Sequence, residues 1–147
     1  MNRIRATLSS PALVRVALGI VYFHFGCLKW FPDLSPAELL STQTVLRLDL
    51  GLQAVDILRL LAAWECLIGV LLLFDVLRRV TALLLLLHLL GTFLPLVLLP
   101  ELAFRVAPFA PTFEGQYVLK NLVFTAVGLR LLFGPAPTAV DAEKATA

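Results

Sequence analysis

Four long runs of apolar residues divide the chain into segments that are each long enough to cross a lipid bilayer. They cover residues 11–31, 55–74, 80–99 and 117–133. A transmembrane helix needs about 17 to 25 predominantly apolar residues, so each run predicts one spanning helix. The first run is too long for a secretory signal, and no small-residue cleavage site follows it. We therefore expect it to be retained as the first helix.

The segment between the first two runs predicts a different kind of helix. Ser35, Pro36 and Glu38 form a helix-start pattern: a capping hydroxyl, a proline in the first turn and a glutamate three residues after the serine. Residues 39–56 mix apolar side chains with charged ones and are too polar to span the bilayer. We expect a short interfacial helix that covers one mouth of the bundle.

The composition is that of a membrane protein. Of the 147 residues, 60% are hydrophobic and 15% are charged, whereas soluble domains carry about 25% charged residues. The predicted fold class is all-α: a polytopic membrane protein whose single domain, residues 11–133, is a four-transmembrane-helix bundle with the short interfacial helix between helices 1 and 2. Residues 1–10 are predicted to be a cytoplasmic N-terminus, and residues 134–147 a disordered cytoplasmic tail.

The basic residues predict how the bundle is oriented. Arginine and lysine are frequent near the two termini and in the turn at residues 75–79. In the two long loops on the opposite side, basic residues are accompanied by several acidic ones. Because cytoplasmic loops carry the excess of Lys and Arg, we place both termini in the cytoplasm, the chain in a bacterial inner membrane and the two long loops in the periplasm. No basic cluster with interleaved aromatic residues indicates a nucleic-acid partner. The lipid bilayer is the predicted partner.

A glutamate, Glu65, lies inside the second apolar run, where no water solvates its carboxylate. Placing an acid or a lysine at the centre of a membrane helix costs about 2.5–3.5 kcal/mol, and such acids mark functional sites by default. Ala62 and Gly69 leave room on the same helix face. The alternative is a structural role for Glu65, as an interhelical ion pair or a protonated acid bonded to a neighbour.

Other polar side chains fall in the same outer half of the predicted bundle. Counting about 1.5 Å per residue from the outer ends puts Lys29 and Lys120 within about 5 Å of the boundary. Glu65 and Thr92 then lie about 10–15 Å down, and His88 lies slightly deeper. Lysine side chains reach inward or outward by several Å, so either amine is within reach of Glu65.

These positions predict a polar cavity that opens toward the outer side of the membrane. Glu65 and His88 are the candidate catalytic residues, because both side chains can exchange protons. The candidate ligand-binding residues are Tyr22, Lys29, Trp64, Thr92, Lys120 and Asn121. Phe124 is expected to form an apolar wall together with Tyr22 and Trp64.

Several of these side chains also have a structural interpretation. His88 can join two helices as a neutral hydrogen-bonding group. Lys29, which lies beside Trp30, can anchor its helix at the interface. Gly19 and Gly26 lie on one stripe of the first helix and permit close approach by a neighbouring helix. His24 faces away from this stripe and ranks below the other candidates.

The two cysteines and the histidines show no pattern of a disulfide or a metal site. The helical rise puts Cys27 about 6 Å and Cys66 about 15 Å below the outer boundary. A disulfide needs Cα atoms within about 7 Å of each other, so we do not expect this bond, and a thiol-redox enzyme is disfavoured. His24 and His88 lie in different helices with no metal-ligand spacing around them, so no metal is predicted.

Three short segments resemble a known family, the DoxX-like membrane proteins. The sequence GCLKW at residues 26–30 resembles the GxxK turn at the end of that family's first helix. Trp64 and Glu65, followed by Gly69, look like its second helix. EGQYVLKNL at residues 114–122 is similar to the segment that introduces its fourth helix and is the most specific of the three.

The resemblance implies a four-helix bundle in a bacterial inner membrane and a theme of quinones and redox or oxidative stress, although functions differ among members. The first hypothesis is a redox-associated protein that binds a quinone or a similar small lipophilic ligand and works with a periplasmic or membrane redox partner. Two alternatives stay open. One is a non-catalytic membrane subunit or assembly partner of an oxidoreductase or stress-response complex; the other is a small proton-coupled transporter. A homo-oligomer is a further association that the sequence leaves open. The residues leave open whether the chain is an enzyme.

Overall fold

The computed structural model describes residues 11–31, 34–35, 38–49, 51 and 53–134. The predicted N-terminal segment lies outside these residues, as does the predicted tail apart from Gly134. In chain order the elements are α1 Pro11–Leu28, α2 Glu38–Leu48, α3 Ala54–Phe74, α4 Arg78–Phe93, α5 Pro95–Leu98, α6 Pro100–Ala103, β1 Phe104–Val106, β2 Ala110–Pro111, α7 Phe113–Leu119 and α8 Asn121–Phe133.

Three stretches of helix are long and apolar enough to cross a membrane: α1, α3 and the α4–α5 segment Arg78–Leu98. The longest single helix, α3, has 21 residues and is about 31 Å long, which matches a hydrocarbon core of about 30 Å. Large apolar side chains on the outside of these helices, such as Leu60 and Leu83, are exposed and available to contact lipid. The chain is therefore a predominantly α-helical membrane protein.

The most extensive helix packing is between α1 and α3, and two glycines make it possible. A Cβ added at Gly69 would lie 2.5 Å from the backbone nitrogen of Phe23, and one added at Gly26 would lie 2.7 Å from the backbone nitrogen of Cys66. No side chain fits at such distances, so only glycine lets the two backbones come this close. As a result, the last turns of α1 lie directly against the middle of α3.

A second helix pair is formed by α4 and α8. Gly128 of α8 is buried there against the side chains of Leu85 and Leu86. The two helix pairs meet in an apolar core whose buried members are Leu18, Tyr22, Ile68, Leu72, Leu85 and Leu89. Contacts between the pairs are fewer than contacts within them, so space remains where the pairs diverge.

The helix predicted between the first two apolar runs is α2. It packs against α3 and α5 at one end of the bundle. Leu40 and Thr44, one turn apart, are buried on its inner face. Leu40 joins Leu99 and Val118 in a second, smaller core, which attaches α2 to the segments that follow α5 and to α7.

The region after α6 departs from the all-α prediction. Strands β1 and β2 pair in antiparallel orientation, with Phe104 opposite Pro111 and Val106 opposite Ala110. Phenylalanine and valine favour extended backbone, and three residues between the strands suffice for a hairpin. The hairpin was missed because the prolines of this region indicated only an irregular loop.

The fourth apolar run begins earlier than predicted and is interrupted. The Thr112 hydroxyl accepts a hydrogen bond from the backbone nitrogen of Gly115 at 3.1 Å and caps the helix, so α7 begins at Phe113 and not at Tyr117. Lys120 separates α7 from α8. Together the two helices cover residues 113–133, although neither is of spanning length by itself.

Arg15 holds the α1–α3 pair together at the end opposite to α2. Its guanidinium donates to the carbonyl oxygens of Leu72 and Leu73 and lies 3.4 Å from the carboxylate of Asp75. The last carbonyls of a helix lack partners within the helix and carry partial negative charge. A cation from α1 therefore caps the C-terminus of α3.

We predict that Gly69→Ala destabilises the bundle, because the new methyl group meets the Phe23 backbone, which cannot move aside as a flexible side chain can. Overpacking of this kind costs about 1–3 kcal/mol, and thermal unfolding in detergent should show a clearly lower Tm. Gly91→Ala is the matched control, since a Cβ added there has no neighbour within 4 Å. Equal Tm values for the two variants would show that the close approach is not needed for stability.

Candidate functional site

An ion pair joins α1 to α3 inside the bundle. Lys29 Nζ lies 2.6 Å from Glu65 Oε2, and the two side chains are only 5% and 10% exposed. Lys29 reaches this point from the position directly after α1, since Gly26, three residues earlier, lets α1 lie against α3. A carboxylate and an ammonium in direct contact neutralise each other, which lowers the cost of placing either in the membrane.

His88 of α4 extends this pair to a third helix. Its Nε2 lies 3.0 Å from Glu65 Oε1, a close contact although not a well-aligned hydrogen bond. On the other side of the ring, Nδ1 lies 3.3 Å from the Tyr22 hydroxyl. A neutral imidazole with its proton on Nε2 fits both neighbours, because the tyrosine then donates to Nδ1 and Nε2 faces the carboxylate.

Aromatic rings surround His88. The Tyr22 ring centroid is 5.4 Å from that of His88 and the Trp64 centroid is 5.9 Å away, both in edge-to-face geometry. Phe124 also packs against Tyr22, at a centroid distance of 6.0 Å. Aromatic pairs at these distances are favourable, so the rings fix the orientation of the imidazole. The indole Nε1 of Trp64 is buried and has no hydrogen-bond partner among the described residues.

A cavity of about 360 Å³ opens beside this network. Small-molecule sites span about 300–1,000 Å³ and are mostly apolar, with a few placed polar groups, and this cavity has that character. It is lined by Val21, Tyr22, Phe25 and Lys29 of α1; by Leu40, Ser41, Thr44, Val45 and Leu48 of α2; by Leu61, Trp64 and Glu65 of α3; and by Leu87, His88, Gly91, Thr92, Leu94, Pro95, Tyr117, Val118 and Asn121 of the following segments.

The two sides of the cavity are closed to different degrees. Between α1 and α7, the rings of Phe25 and Tyr117 meet edge to face with centroids 6.2 Å apart. On α4, Leu87 and Gly91 line the cavity yet are exposed on the bundle surface, and the space around Gly91 is open. The α4 side is therefore the more open side of the cavity, and we refer to it as the lateral opening.

Seven of the eight predicted site residues line this cavity: Tyr22, Lys29, Trp64, Glu65, His88, Thr92 and Asn121. Asn121 Nδ2 donates to the Thr92 hydroxyl at 3.2 Å, which ties the start of α8 to α4. The structure thus places these side chains together around one space. Their catalytic and ligand-binding roles stay predictions.

Lys120 is a correction to the predicted set. It is exposed and does not line the cavity. Successive residues of a helix point about 100° apart, so the inward position of Asn121 beside Thr92 turns Lys120 outward. Phe124 is corrected as well, because its ring packs against Tyr22 and it is not among the residues that line the cavity. His24, ranked lower from the sequence, is exposed and outside the cavity.

The predicted separation of the two cysteines is also wrong. Cys27 Sγ and Cys66 Sγ lie 3.9 Å apart, as free thiols. The sequence-based depths assumed that both helices end at the same membrane plane. Instead, α1 and α3 pack with Gly26 directly against Cys66, so the two residues lie at the same level.

The contribution of α2 to the cavity was only partly foreseen. A helix covering one mouth was predicted, but not which of its side chains point into the cavity. Leu40, Thr44 and Leu48 follow each other at intervals of four, the spacing of a single helix face, and this pattern would have identified them. Phe25 and Gly91 carry no comparable signal, since an apolar residue within an apolar helix can face either lipid or cavity.

Comparison with protein families identifies the chain. The DoxX family matches residues 10–98, which is more than half of the 147 residues. The chain belongs to the DoxX family. Neither the comparison with curated proteins nor that with solved structures gives a match.

The matched part of this DoxX protein includes α1 to α5. The charged network of Lys29, Glu65 and His88 therefore lies wholly inside it. Tyr117 and Asn121 lie beyond it, as does the segment 114–122 on which part of the sequence resemblance rested. The family assignment thus rests on the helices that carry the network.

We predict that substitutions of Lys29 and Glu65 have strongly non-additive effects on the stability of the protein. Lys29→Met or Glu65→Gln alone should lower the Tm, because truncating one partner of a buried ion pair leaves the other charge unpaired, at a cost of about 3–5 kcal/mol. The double variant should recover much of this loss, since neither charge remains. Thermal unfolding of the four proteins in one detergent measures the coupling.

Lys120→Met is the control for this cycle, because it removes an exposed lysine of the same length. It should leave the Tm close to that of the unmodified protein. An effect of Lys29→Met no larger than that of Lys120→Met, or losses that simply add in the double variant, would contradict a buried ion pair.

Proposed function

We propose that this DoxX protein binds a small, neutral, lipophilic ligand of the quinone class in the cavity and exchanges protons with it. The observation that carries the proposal is the network of Lys29, Glu65 and His88 at the polar end of an otherwise apolar cavity. An apolar space with a few converging polar groups and ionisable side chains is the usual form of a ligand site.

The charges of the site favour a neutral ligand. Lys29 and Glu65 neutralise each other in direct contact. A charged ligand would lose its hydration without gaining an unpaired counter-charge, which is costly in a low-dielectric environment. A quinone carries only carbonyl oxygens as polar groups. The lateral opening at Leu87 and Gly91 would admit such a molecule directly from the bilayer.

The network has the groups that quinone chemistry needs. Reducing a quinone takes two electrons and two protons, and a carbonyl oxygen must accept hydrogen bonds. The Lys29 ammonium has three N–H groups, and among the described residues one of them bonds to Glu65. Tyr22, His88 and Glu65 form a chain along which protons can pass. A membrane or periplasmic redox partner would supply the electrons.

The proposed setting is a bacterial inner membrane, with both termini in the cytoplasm. In this arrangement α7 and α8 together form a fourth spanning segment, since they cover residues 113–133 and pack along α4. The helix α2 then lies at the periplasmic interface. The placement is supported by Arg15 and Arg78, which bind near the C-terminal ends of α3 and α8, at the end of the bundle opposite to α2, because the cytoplasmic side carries the excess of basic residues.

A second candidate is a non-catalytic subunit or assembly partner of an oxidoreductase or stress-response complex. The observation that favours it is that Glu65 already contacts Lys29 and His88 without any ligand. In that case the network only joins three helices. Ligand binding separates the two candidates, because a purely structural role predicts no quinone binding by the intact protein, whereas Glu65→Gln lowers the stability in both cases.

We predict that a short-chain quinone quenches the fluorescence of Trp64 in a saturable way. The chain has two tryptophans, so a Trp30→Phe background isolates the residue in the cavity. In this background Gly91→Leu should weaken binding at least about tenfold, because the space around a Cβ at this position is open and a leucine side chain would occupy part of the opening. Glu65→Gln should weaken it as well, because Lys29 and His88 then lose the carboxylate that orients them beside the cavity.

Leu90→Phe is the control for the blocked opening, since Leu90 is exposed on α4 and does not line the cavity. Its quenching curve should match that of the Trp30→Phe background. If Gly91→Leu binds quinone as tightly as the control, the ligand does not use this cavity. If a stably folded protein shows no saturable quenching at all, the second candidate is favoured.

We predict an even number of membrane crossings, with both ends of the chain in the cytoplasm. A fluorescent protein that matures only in the cytoplasm should be active when fused after residue 147, whereas alkaline phosphatase at the same point should be inactive. A fusion after Phe109, at the hairpin, should give the opposite result. An active phosphatase at the C-terminal fusion would contradict the fourth crossing.

A further inference from the structure

We propose that Cys27 and Cys66 form a redox-reactive thiol pair, which a membrane-soluble hydroperoxide converts to a disulfide linking α1 to α3. The two sulfur atoms lie 3.9 Å apart and are not bonded. The proposal concerns a site outside the cavity, and it does not depend on quinone binding.

The geometry of the two helices favours bond formation. A disulfide has an S–S distance of about 2.05 Å, so the sulfurs must approach by about 1.9 Å, a displacement within reach of side-chain rotation. The backbones are already close, because Gly26 lets α1 approach until a Cβ there would lie 2.7 Å from the Cys66 nitrogen. No large helix movement is therefore required.

The surroundings of the pair indicate which oxidants can reach it. Both cysteines are half-buried and neither lines the cavity. On α1, Cys27 follows Phe23 by one turn, and on α3, Val70 follows Cys66 by one turn; both apolar neighbours are exposed on the outside of the bundle. The thiols thus lie at a surface that faces lipid. A small uncharged oxidant dissolved in the bilayer can reach them, whereas charged disulfides such as oxidised glutathione cannot.

A hydroperoxide completes the reaction without a further reagent. One sulfur attacks the terminal peroxide oxygen, so that an S–O bond forms, the O–O bond breaks and the thiol proton leaves with the alcohol. The second sulfur then attacks the sulfenic acid; an S–S bond forms, the S–O bond breaks and water leaves with the second thiol proton. The two sulfurs lose two electrons and the peroxide gains two.

The position of the bond gives it a consequence for the charged network. Cys66 follows Glu65 directly, and Cys27 precedes Lys29 by two residues. A covalent link here would hold α1 and α3 in the arrangement in which the ion pair forms. The disulfide should therefore stabilise this helix pair against unfolding.

The test uses the unmodified full-length protein in lipid nanodiscs treated with cumene hydroperoxide. We expect its intact mass to fall by two hydrogen atoms, both thiols to stop reacting with maleimide, and dithiothreitol to reverse both changes. The Tm should rise on oxidation. Cys27→Ser and Cys66→Ser should each show no rise in Tm, and each should accumulate a sulfenic acid that dimedone traps.

Three other oxidants complete the experiment. Hydrogen peroxide, which enters the bilayer poorly, should act more slowly than cumene hydroperoxide, and oxidised glutathione should have no effect. Equal rates with oxidised glutathione would overturn the lipid-facing assignment. Oxidation by a quinone but not by cumene hydroperoxide would overturn the hydroperoxide step. If the thiols stay reduced, or are oxidised to higher acids without forming a disulfide, Cys27 and Cys66 are not a redox-reactive pair.

Discussion

The structure depends on one constraint, which is that the carboxylate of Glu65 must be neutralised inside an apolar bundle. An unpaired acid at mid-membrane depth costs about 2.5–3.5 kcal/mol, a large share of the stability of a small domain. Lys29 meets this constraint at 2.6 Å. It can do so only because Gly26 and Gly69 remove the side chains that would otherwise hold α1 and α3 apart. The ion pair therefore depends on the close backbone packing of α1 against α3.

The same constraint explains why a cavity forms where it does. The pairs α1–α3 and α4–α8 are each packed tightly, and they share fewer contacts with each other. The carboxylate lies where the pairs diverge and contacts His88 across the gap. A polar network at this position holds the helices at a defined distance without filling the space beside it. The result is an apolar cavity with its polar groups at one end, covered by α2.

Much of this arrangement could be predicted from the sequence. Three of the four apolar runs coincide with helices long enough to span a bilayer, because the bilayer fixes the length of such helices, and an acid inside one of them identified Glu65. Glycine spacing on α1 indicated a close neighbour. The sequence did not show which helices pair or at what level, and for this reason the depths of Cys27 and Cys66 were misjudged. Lys120 was predicted to line the cavity, but the side chain that does so is that of Asn121. Adjacent residues of a helix point about 100° apart, so an error of one residue in position turns a side chain out of the cavity.

The most direct test of the account is a structure of the full-length protein in lipid nanodiscs with a saturating short-chain quinone. The account predicts density for the quinone ring in the cavity, with one carbonyl oxygen within hydrogen-bonding distance of Lys29 or His88 and the Lys29–Glu65 contact in place. A cavity that holds only lipid acyl chains or water under these conditions would contradict it, as would a Lys29 side chain turned away from Glu65.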